Sequence, residues 1–141
     1  MIGQYVMTQA DVNALTLKPD SIGLNQWGID VHEVDRIVRV VDGVSRVVVE
    51  GCLGPYTNYP SQIPFRTILS AQITNLAVPV CMSASHIGFA ALRVEPTYMT
   101  LGEAAGTAAA LALDGGIDLS QVNVATLQAK LLGYGGILDP F

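Results

Sequence analysis

Two strongly polar residues, His86 and Arg93, stand in an otherwise apolar stretch of the sequence. An imidazole takes up and releases a proton near neutral pH, so His86 is a candidate general acid or base. A guanidinium presents a planar fork of donors, so Arg93 is a candidate clamp for a carboxylate or for polar cofactor groups. Both residues also have structural explanations. A lone histidine is often hydrogen-bonded within a core, and Arg93 can pair with Glu95.

A second candidate for chemistry is a helix rich in alanine and glycine, predicted from Thr100 to Leu113. Thr100 and Glu103 fit the T-x-x-E capping box, and Gly115-Gly116 is a typical helix end. The segment has no polar face, which predicts a helix that is buried on every side.

A helix that begins at Thr100 exposes the backbone N–H groups of Gly102, Glu103 and Ala104 at its positive end. Such a terminus stabilises an anion. The alternative is a tightly packed core helix in which Glu103 only completes the cap.

Several other elements must position these residues. The Asp42-Gly43 pair predicts a hairpin turn between two β-rich runs, and Thr8 and Asn123 are typical helix caps. We predict irregular structure over 16–35 and a loop over 51–60. The predicted regular elements are a helix over 9–15, hairpin strands over 36–41 and 46–50, a short strand over 63–69, a buried strand end over 75–80 and a helix over 124–132.

The composition excludes several classes of protein. The chain has 141 residues, of which 7 are basic and 12 acidic, for a net charge of −5. An ordinary domain has about 25% charged residues, and this chain has 13%. The scattered basic residues argue against nucleic-acid binding, and a hydrophobic content of 50% excludes disorder. The longest uncharged run, 67–92, contains too many polar groups for a membrane span.

Metal binding and targeting signals are not predicted either. His32 lies beside Asp30 and Glu33 but has no second histidine or cysteine at ligand spacing, so no metal site is expected. The N-terminal residues lack a basic segment followed by an apolar one, so no signal peptide is expected in this chain and we expect a soluble protein. The cellular compartment stays open.

An ordered series of motifs resembles the C-terminal end of the FAD-dependent oxidoreductase family. That family lies within the glutathione-reductase-like flavoproteins and includes members labelled xanthan-lyase-like. The resemblance extends over nearly the whole chain. Its main motifs are Gln62–Arg66, Asn75–His86, Leu92–Pro96 and Met99–Ala109, with weaker likeness at Tyr5–Thr8 and Asp30–His32 with Arg36.

The resemblance implies an α/β or α+β fragment. It would contain the last strand and helix of an FAD-binding Rossmann-like domain and a β-hairpin portion of the substrate domain. Residues 1–66 would belong to the substrate domain and residues 67–141 to the FAD-binding domain.

The implied activity is hydride transfer from an unknown small-molecule substrate to the flavin of FAD. His86 and Arg93 would be catalytic. The implied cofactor-binding residues are Ser85, Gly102, Glu103, Ala104, Ala105 and Gly106.

The strand–GxGxxG–helix unit with which this family begins is absent from the sequence. We therefore expect a split or truncated chain that binds FAD poorly alone, is inactive alone, and needs a GxGxxG-bearing polypeptide as partner. The alternative is a non-enzymatic module that docks on a partner through its Ala/Gly-rich helix. For a chain on its own, either this helix or the strand at 76–80 should be unusually exposed.

Overall fold

A computed structural model describes residues 1–14, 16–56 and 59–140. These residues form four α-helices and six β-strands, and the strands pair as three two-stranded antiparallel sheets. The combination confirms the predicted α+β class. The helices are α1 (Gln9–Asn13), α2 (His86–Leu92), α3 (Glu95–Gly115) and α4 (Val124–Gly133). The strands are β1 (Ser21–Asn25), β2 (Ile29–Val31), β3 (Asp35–Val41), β4 (Val44–Glu50), β5 (Leu53–Tyr56) and β6 (Ser61–Pro64).

Two of the sheets join segments that are distant in sequence. β1 pairs with β6, and β2 pairs with β5. The predictions of irregular structure over 16–35 and of a loop over 51–60 are therefore wrong for Ser21–Asn25, Ile29–Val31 and Leu53–Tyr56, because these short strands are stabilised by partners that carry no local signal. Residues 57 and 58 of the predicted loop lie outside the described residues. The predicted strand over 63–69 is also wrong in part, since β6 ends at Pro64 and Phe65–Thr67 form a 3₁₀ turn.

The hydrophobic core lies where the β1–β6 pair meets the helices. α3 and α4 pack on β1, α1 packs on β6, and α2 packs on β2 and α1. Burial of such side chains is the main favourable term in folding. The largest fully buried apolar side chains are Phe65, Met7, Ile22, Ile29, Ile63, Ile68, Leu92, Leu101 and Leu127.

The short helix α1 begins with a network of polar groups around the Asp11 carboxylate. Thr8 caps α1 as predicted, and its N–H and hydroxyl both donate to Asp11 Oδ2 at 2.8 Å. Lys18 Nζ lies 2.6 Å from Asp11 Oδ1, and the Tyr5 hydroxyl donates to the same oxygen at 2.5 Å. The Asp11 and Lys18 side chains are each only 9% exposed. The predicted helix over 9–15 is too long, since α1 ends at Asn13 and Leu15 lies outside the described residues.

A bidentate ion pair lies beside this network. Arg66 Nε and Nη2 donate to the two oxygens of Asp20 at 2.9 and 3.1 Å. Burial alone would raise the pKa of Asp20, but the hydrogen bonds from Arg66 outweigh it and the pKa is lowered. The Arg66 guanidinium also stacks over the Tyr5 ring, 5.2 Å from its centroid.

The predicted hairpin is confirmed. β3 and β4 pair in continuous register from Asp35 opposite Glu50 to Val41 opposite Val44. Asp42 and Gly43 both have positive φ, 53° and 76°, as a two-residue primed turn requires. One face of the hairpin carries four valines that are all exposed, namely Val38, Val40, Val47 and Val49.

The final helix is also as predicted. The Asn123 side chain accepts a hydrogen bond from Thr126 N at 3.0 Å and caps α4. By contrast, the strand predicted over 75–80 does not form, because within the described residues only an isolated bridge joins Leu69 to Ala77. No helix in the described part of the chain is long and apolar enough to cross a bilayer.

Candidate functional site

A cleft of about 320 Å³ brings His86 and Arg93 together. His86 is the first residue of α2 and Arg93 directly follows its last residue. Seven residues correspond to almost two helical turns, so the two side chains leave α2 on the same side. Strand β2 and the residues after it form the other wall. The lining residues are Asp30, Val31, His32, Val34, His86, Phe89, Ala90 and Arg93.

Arg93 is held by Asp30 and not by Glu95. Arg93 Nη2 donates to the backbone oxygen of Asp30 at 3.0 Å and lies 3.6 Å from its Oδ2. The alternative pairing with Glu95 is therefore wrong. A guanidinium has five N–H donors, so these contacts leave donors available to a ligand in the cleft.

Asp30 is the one acidic residue among the described residues that line this cleft, and it also contacts His32. His32 Nε2 lies 3.2 Å from the same oxygen, Oδ2, that Arg93 approaches. The sequence indicated Asp30 and His32 as weak metal candidates and as a weaker part of the family resemblance. Within the described residues no group of three or more histidine, cysteine, aspartate or glutamate side chains could hold a metal ion. The role of Asp30 in holding Arg93 depends on the position of β2 against α2, for which the sequence carries no local signal.

His86 is exposed at the mouth of the cleft, and no hydrogen bond joins its ring to another described residue. The structural alternative for His86, a hydrogen-bonded core histidine, does not apply. An exposed imidazole beside a guanidinium can exchange a proton with a bound molecule whose acidic group Arg93 holds.

Ser85 fixes the start of α2. Its side chain accepts a hydrogen bond from Gly88 N at 3.1 Å, and its N–H donates to the Met7 backbone oxygen at 2.8 Å. Gly88 allows this close contact, because a Cβ there would lie 2.4 Å from the Met7 oxygen. Ser85 therefore positions His86, the next residue, while its own hydroxyl proton stays available to a ligand.

The start predicted for the Ala/Gly-rich helix is wrong. α3 begins at Glu95, with Pro96 in its first turn, where proline is favoured. Thr100 lies within the helix, and its hydroxyl donates to the Pro96 backbone oxygen at 3.0 Å. The predicted helix end is confirmed, since Gly116 follows the last residue with φ of 59°.

This correction moves the positive end of the helix dipole. Because α3 begins at Glu95, the backbone N–H groups of Gly102, Glu103 and Ala104 belong to the helix interior and not to its free first turn. The amides without an acceptor inside the helix are those of Glu95 and Thr97, since Pro96 has no N–H. They follow Arg93 in sequence, but Val94, Pro96 and Thr97 at the start of α3 line a separate pocket and not the cleft of His86 and Arg93.

The predicted cofactor-binding residues of α3 lie on different faces. Ala104 is fully buried, Ala105 is half-buried, and Gly102, Glu103 and Gly106 are exposed. A Cβ added at Gly102 or Gly106 would meet no atom within 4 Å. The buried stripe of α3 consists of Thr97, Leu101, Ala104, Ala108 and Ala112.

The helix is thus not buried on every side. Its outer face is open, with Met99 74% and Leu113 82% exposed. In segment 71–80, Leu76 and Val80 are exposed as well. The expectation that α3 or the strand at 76–80 would be unusually exposed is confirmed for the outer face of α3. The strand does not form, and residues 77–79 are half-buried.

Comparison with known proteins identifies a family. A family model described as FAD dependent oxidoreductase matches residues 1–131 of the 141. No curated protein and no solved structure matches the chain significantly. A match of this length shows the family, and with it a flavin-linked redox function. The chain belongs to the FAD dependent oxidoreductase family.

Proposed function

We propose that this chain forms the substrate side of the catalytic centre in an oxidoreductase that transfers a hydride from a small molecule to FAD. The cleft that brings His86 and Arg93 together carries the proposal. Family membership supports the cofactor. Bound FAD supplies an acceptor for the two electrons and the hydrogen that leave a substrate carbon.

Arg93 binds and orients the substrate in this proposal. Its contacts with Asp30 fix the guanidinium at the wall of the cleft. The remaining N–H donors suit a carboxylate, which accepts two parallel hydrogen bonds from one guanidinium. Orientation by such a pair raises the rate because it holds the reacting carbon in one position.

His86 accepts the proton that must leave as the hydride leaves. A substrate that loses a hydride from carbon and a proton from the attached oxygen or nitrogen becomes a carbonyl compound or an imine. The imidazole of His86 takes up that proton and becomes an imidazolium ion. Its exposed ring and its lack of a hydrogen-bond partner among the described residues leave both nitrogens available.

Two observations test whether these residues suit FAD. The flavin ring gains negative charge on reduction, and the Arg93 guanidinium supplies a positive charge that stabilises it. Ser85 caps the start of α2, directly before His86, and its hydroxyl can donate a hydrogen bond. On the outer face of α3, Gly102 and Gly106 let a flat ring or a backbone approach closely. Glu103 and Ala105 border this face, whereas Ala104 acts only through the packing beneath it.

A partner that carries GxGxxG completes this proposal. The pyrophosphate of FAD binds at a glycine-rich turn before a helix, and this sequence has no GxGxxG. We place that partner, a polypeptide or a further part of the same enzyme, on the exposed face of α3 and on segment 71–80. The division between substrate and FAD-binding domains at residue 66 stays a prediction about the complete enzyme.

The exposed face of α3 also favours a second candidate function, a non-enzymatic module that docks on another protein. Co-expression with a GxGxxG-bearing polypeptide encoded next to this chain separates the two. The oxidoreductase proposal predicts a yellow complex that keeps FAD through purification, whereas the chain alone stays colourless with added FAD. A stable but colourless complex would support the docking module instead.

Variants of the yellow complex test the residue roles. With a panel of small 2-hydroxy and 2-amino acids as reductants, His86→Gln should keep the flavin but slow its bleaching by about 10²-fold or more. Arg93→Lys should mainly raise KM, because a lysine cannot form the bidentate contact. His32→Gln, in the same cleft, is the matched control. Bleaching by His86→Gln at the normal rate would contradict the role of His86.

A further inference from the structure

The hairpin of β3 and β4 is a two-stranded sheet of its own, so each of its strands has one free edge. β4 pairs with β3 in continuous register over seven residues, without a bulge and without a proline. Its side chains are exposed or half-buried, so no other described element covers its free edge. Native proteins protect an edge strand with bulges, prolines, charges or a covering element. β4 has only charges, those of Arg46 and Glu50, and their signs are opposite.

The turn determines which backbone groups of β4 face this free edge. The two residues that flank a two-residue turn bond to each other, so the backbone of Val44 faces β3. The direction of these groups alternates along an antiparallel strand. Glu50 faces β3 as well, since its backbone oxygen accepts a hydrogen bond from Val34 N. The residues between them whose N–H and C=O groups point away from β3, with no hydrogen-bond partner in the described chain, are Ser45, Val47 and Val49.

A second copy of β4 fits this edge in one register. Two antiparallel edges bond where outward-facing residues of both strands lie opposite each other. With Val47 opposite Val49 of the other copy, Val48 lies opposite its own equivalent. Arg46 then lies opposite Glu50 of the other copy, and because the copies exchange roles, each of these unlike pairs occurs twice. Sliding one strand by two residues removes both pairs of opposite charge.

The charges inside the hairpin leave Arg46 without an anion. It lies directly opposite Arg39, and like charges in this position weaken a sheet. Arg39 Nη2 donates to Glu50 Oε1, whereas Arg46 forms no ion pair with another described residue. Glu50 keeps its second oxygen, and its side chain is 47% exposed. A carboxylate from a second chain would therefore supply what Arg46 lacks.

The free edge of β3 is a poorer match. Its outward-facing residues include Arg36 and Val38, by the same alternation. The β3 register that brings opposite charges together places Asp35 opposite Arg39 of the other copy, and with it Arg36 opposite Val38. Arg39 already has a carboxylate in its own chain. This edge thus sets a charge against a valine twice and supplies no missing ion pair.

We propose that the chain forms a two-fold symmetric dimer in which the β4 strands of two copies pair antiparallel, with Val48 on the axis. The product is a four-stranded sheet in the order β3, β4, β4, β3. Each copy gives and receives the same contacts, as closed two-fold symmetry requires. No residue of β4 lines the cleft of His86 and Arg93, so the dimer is independent of flavin and substrate.

The concentration dependence of the mass gives the first test. One pair of edges is a small interface, of less than about 1,200 Å², so we expect a dissociation constant of about 10–100 μM. Sedimentation of the full chain should give 14.9 kDa at low micromolar concentration and approach twice that value at about 500 μM. Over the same range, the amide protons of Val47 and Val49 should exchange more slowly, because they gain acceptors.

Charge exchange tests the register. Arg46→Glu and Glu50→Arg should each weaken the dimer by about tenfold or more, because each places like charges opposite each other twice. A mixture of the two variants should associate again, since both pairs are then of opposite charge. Arg36→Glu makes the same change of charge on β3 and is the matched control, which should dimerise like the wild type. Circular dichroism checks the fold of each variant.

A proline tests the backbone contacts. The N–H of Val47 faces the free edge, where a strand tolerates proline, so Val47→Pro should keep the hairpin but abolish the dimer at about 500 μM. Val47→Thr keeps the N–H and should still dimerise.

Four results would overturn the proposal. A mass that stays at 14.9 kDa up to about 500 μM would show that the edges do not pair. A dimer that Val47→Pro leaves intact would place the contact on another surface. Loss of the dimer in Arg36→Glu alone would place it on β3. A mass that rises well beyond that of two chains would show open-ended association in place of a closed dimer.

Discussion

Replacing Asp11 by asparagine tests the polar network at α1. In the folded chain the carboxylate accepts hydrogen bonds from Tyr5, Thr8 and Lys18. Burial alone would raise the pKa of Asp11, but these bonds outweigh it and lower the pKa from 3.8 to about 2. Each pKa unit corresponds to about 1.4 kcal/mol, so ionised Asp11 contributes about 2 kcal/mol to the free energy of unfolding.

The asparagine variant also leaves Lys18 without its anion. Lys18 is 9% exposed at its side chain, and removal of one partner from a buried pair costs about 3–5 kcal/mol. Since an asparagine still accepts a hydrogen bond from Thr8, we expect a loss near the lower bound, about 3 kcal/mol at pH 7. Urea unfolding followed by circular dichroism measures it. Asp42→Asn, at an exposed turn where asparagine also adopts positive φ, is the matched control and should change stability by less than about 0.5 kcal/mol.

The pH dependence makes this prediction more specific. The pKa of Asp11 is lower in the folded than in the unfolded chain, so its contribution is complete above about pH 4 and disappears as the pH falls through about 2. The difference between wild type and Asp11→Asn should shrink by about 2 kcal/mol over that interval. A difference that is zero at pH 7, or that stays constant down to pH 2, would refute the account of the network.

Three further predictions concern glycines, a second carboxylate and the hairpin. Gly88→Ala should lower the free energy of unfolding in urea by about 1–3 kcal/mol, because the new Cβ would lie 2.4 Å from the Met7 backbone oxygen. Gly102→Ala places its Cβ in free space and should stabilise α3 by up to about 1 kcal/mol. The pKa of Asp20 is lowered in the folded chain, so its carboxylate stabilises the fold above the ordinary carboxyl pKa and loses this effect in acid. Asp20→Asn should remove this stabilisation, and the free energy of unfolding in urea at a series of pH values measures it. Val47→Thr on the open hairpin face should change thermal stability by less than about 0.5 kcal/mol; a larger loss would show that this face is covered.

Elements with local signals could be predicted from the sequence. The Asp42-Gly43 turn and the Asn123 cap lie next to the elements that they define, and both the hairpin and α4 form as expected. The predicted start of α3 was wrong because two local signals for a helix start compete there. Thr100 and Glu103 have the spacing of a cap, but Pro96 is well placed in a first turn and the helix continues from there.

Elements that depend on distant partners could not be predicted. β1 forms because Ser21 to Asn25 pairs with β6, and no feature near residue 21 indicates that partner. The segment at 75–80 has the apolar sequence of a buried strand, yet the described chain supplies only a single bridge at Ala77.

For the candidate site the same limit applies. His86 and Arg93 were indicated by their residue types, whereas α2, which places them on one side, was not predicted. Asp30 belongs to the site through the packing of β2 on α2. The sequence thus indicates which side chains could take part in the chemistry, whereas their positions relative to one another depend on tertiary contacts.

The hairpin of β3 and β4 has a consequence for how the chain opens. At its base, where both strands connect to the rest of the molecule, Val34 N donates to the Glu50 backbone oxygen at 2.9 Å. Because its valines cover no core, its strands can separate without disturbing Phe65 or Leu101. Its amide protons should therefore exchange with deuterium through local opening, far faster than those of β1 and α3, which exchange only when the core opens.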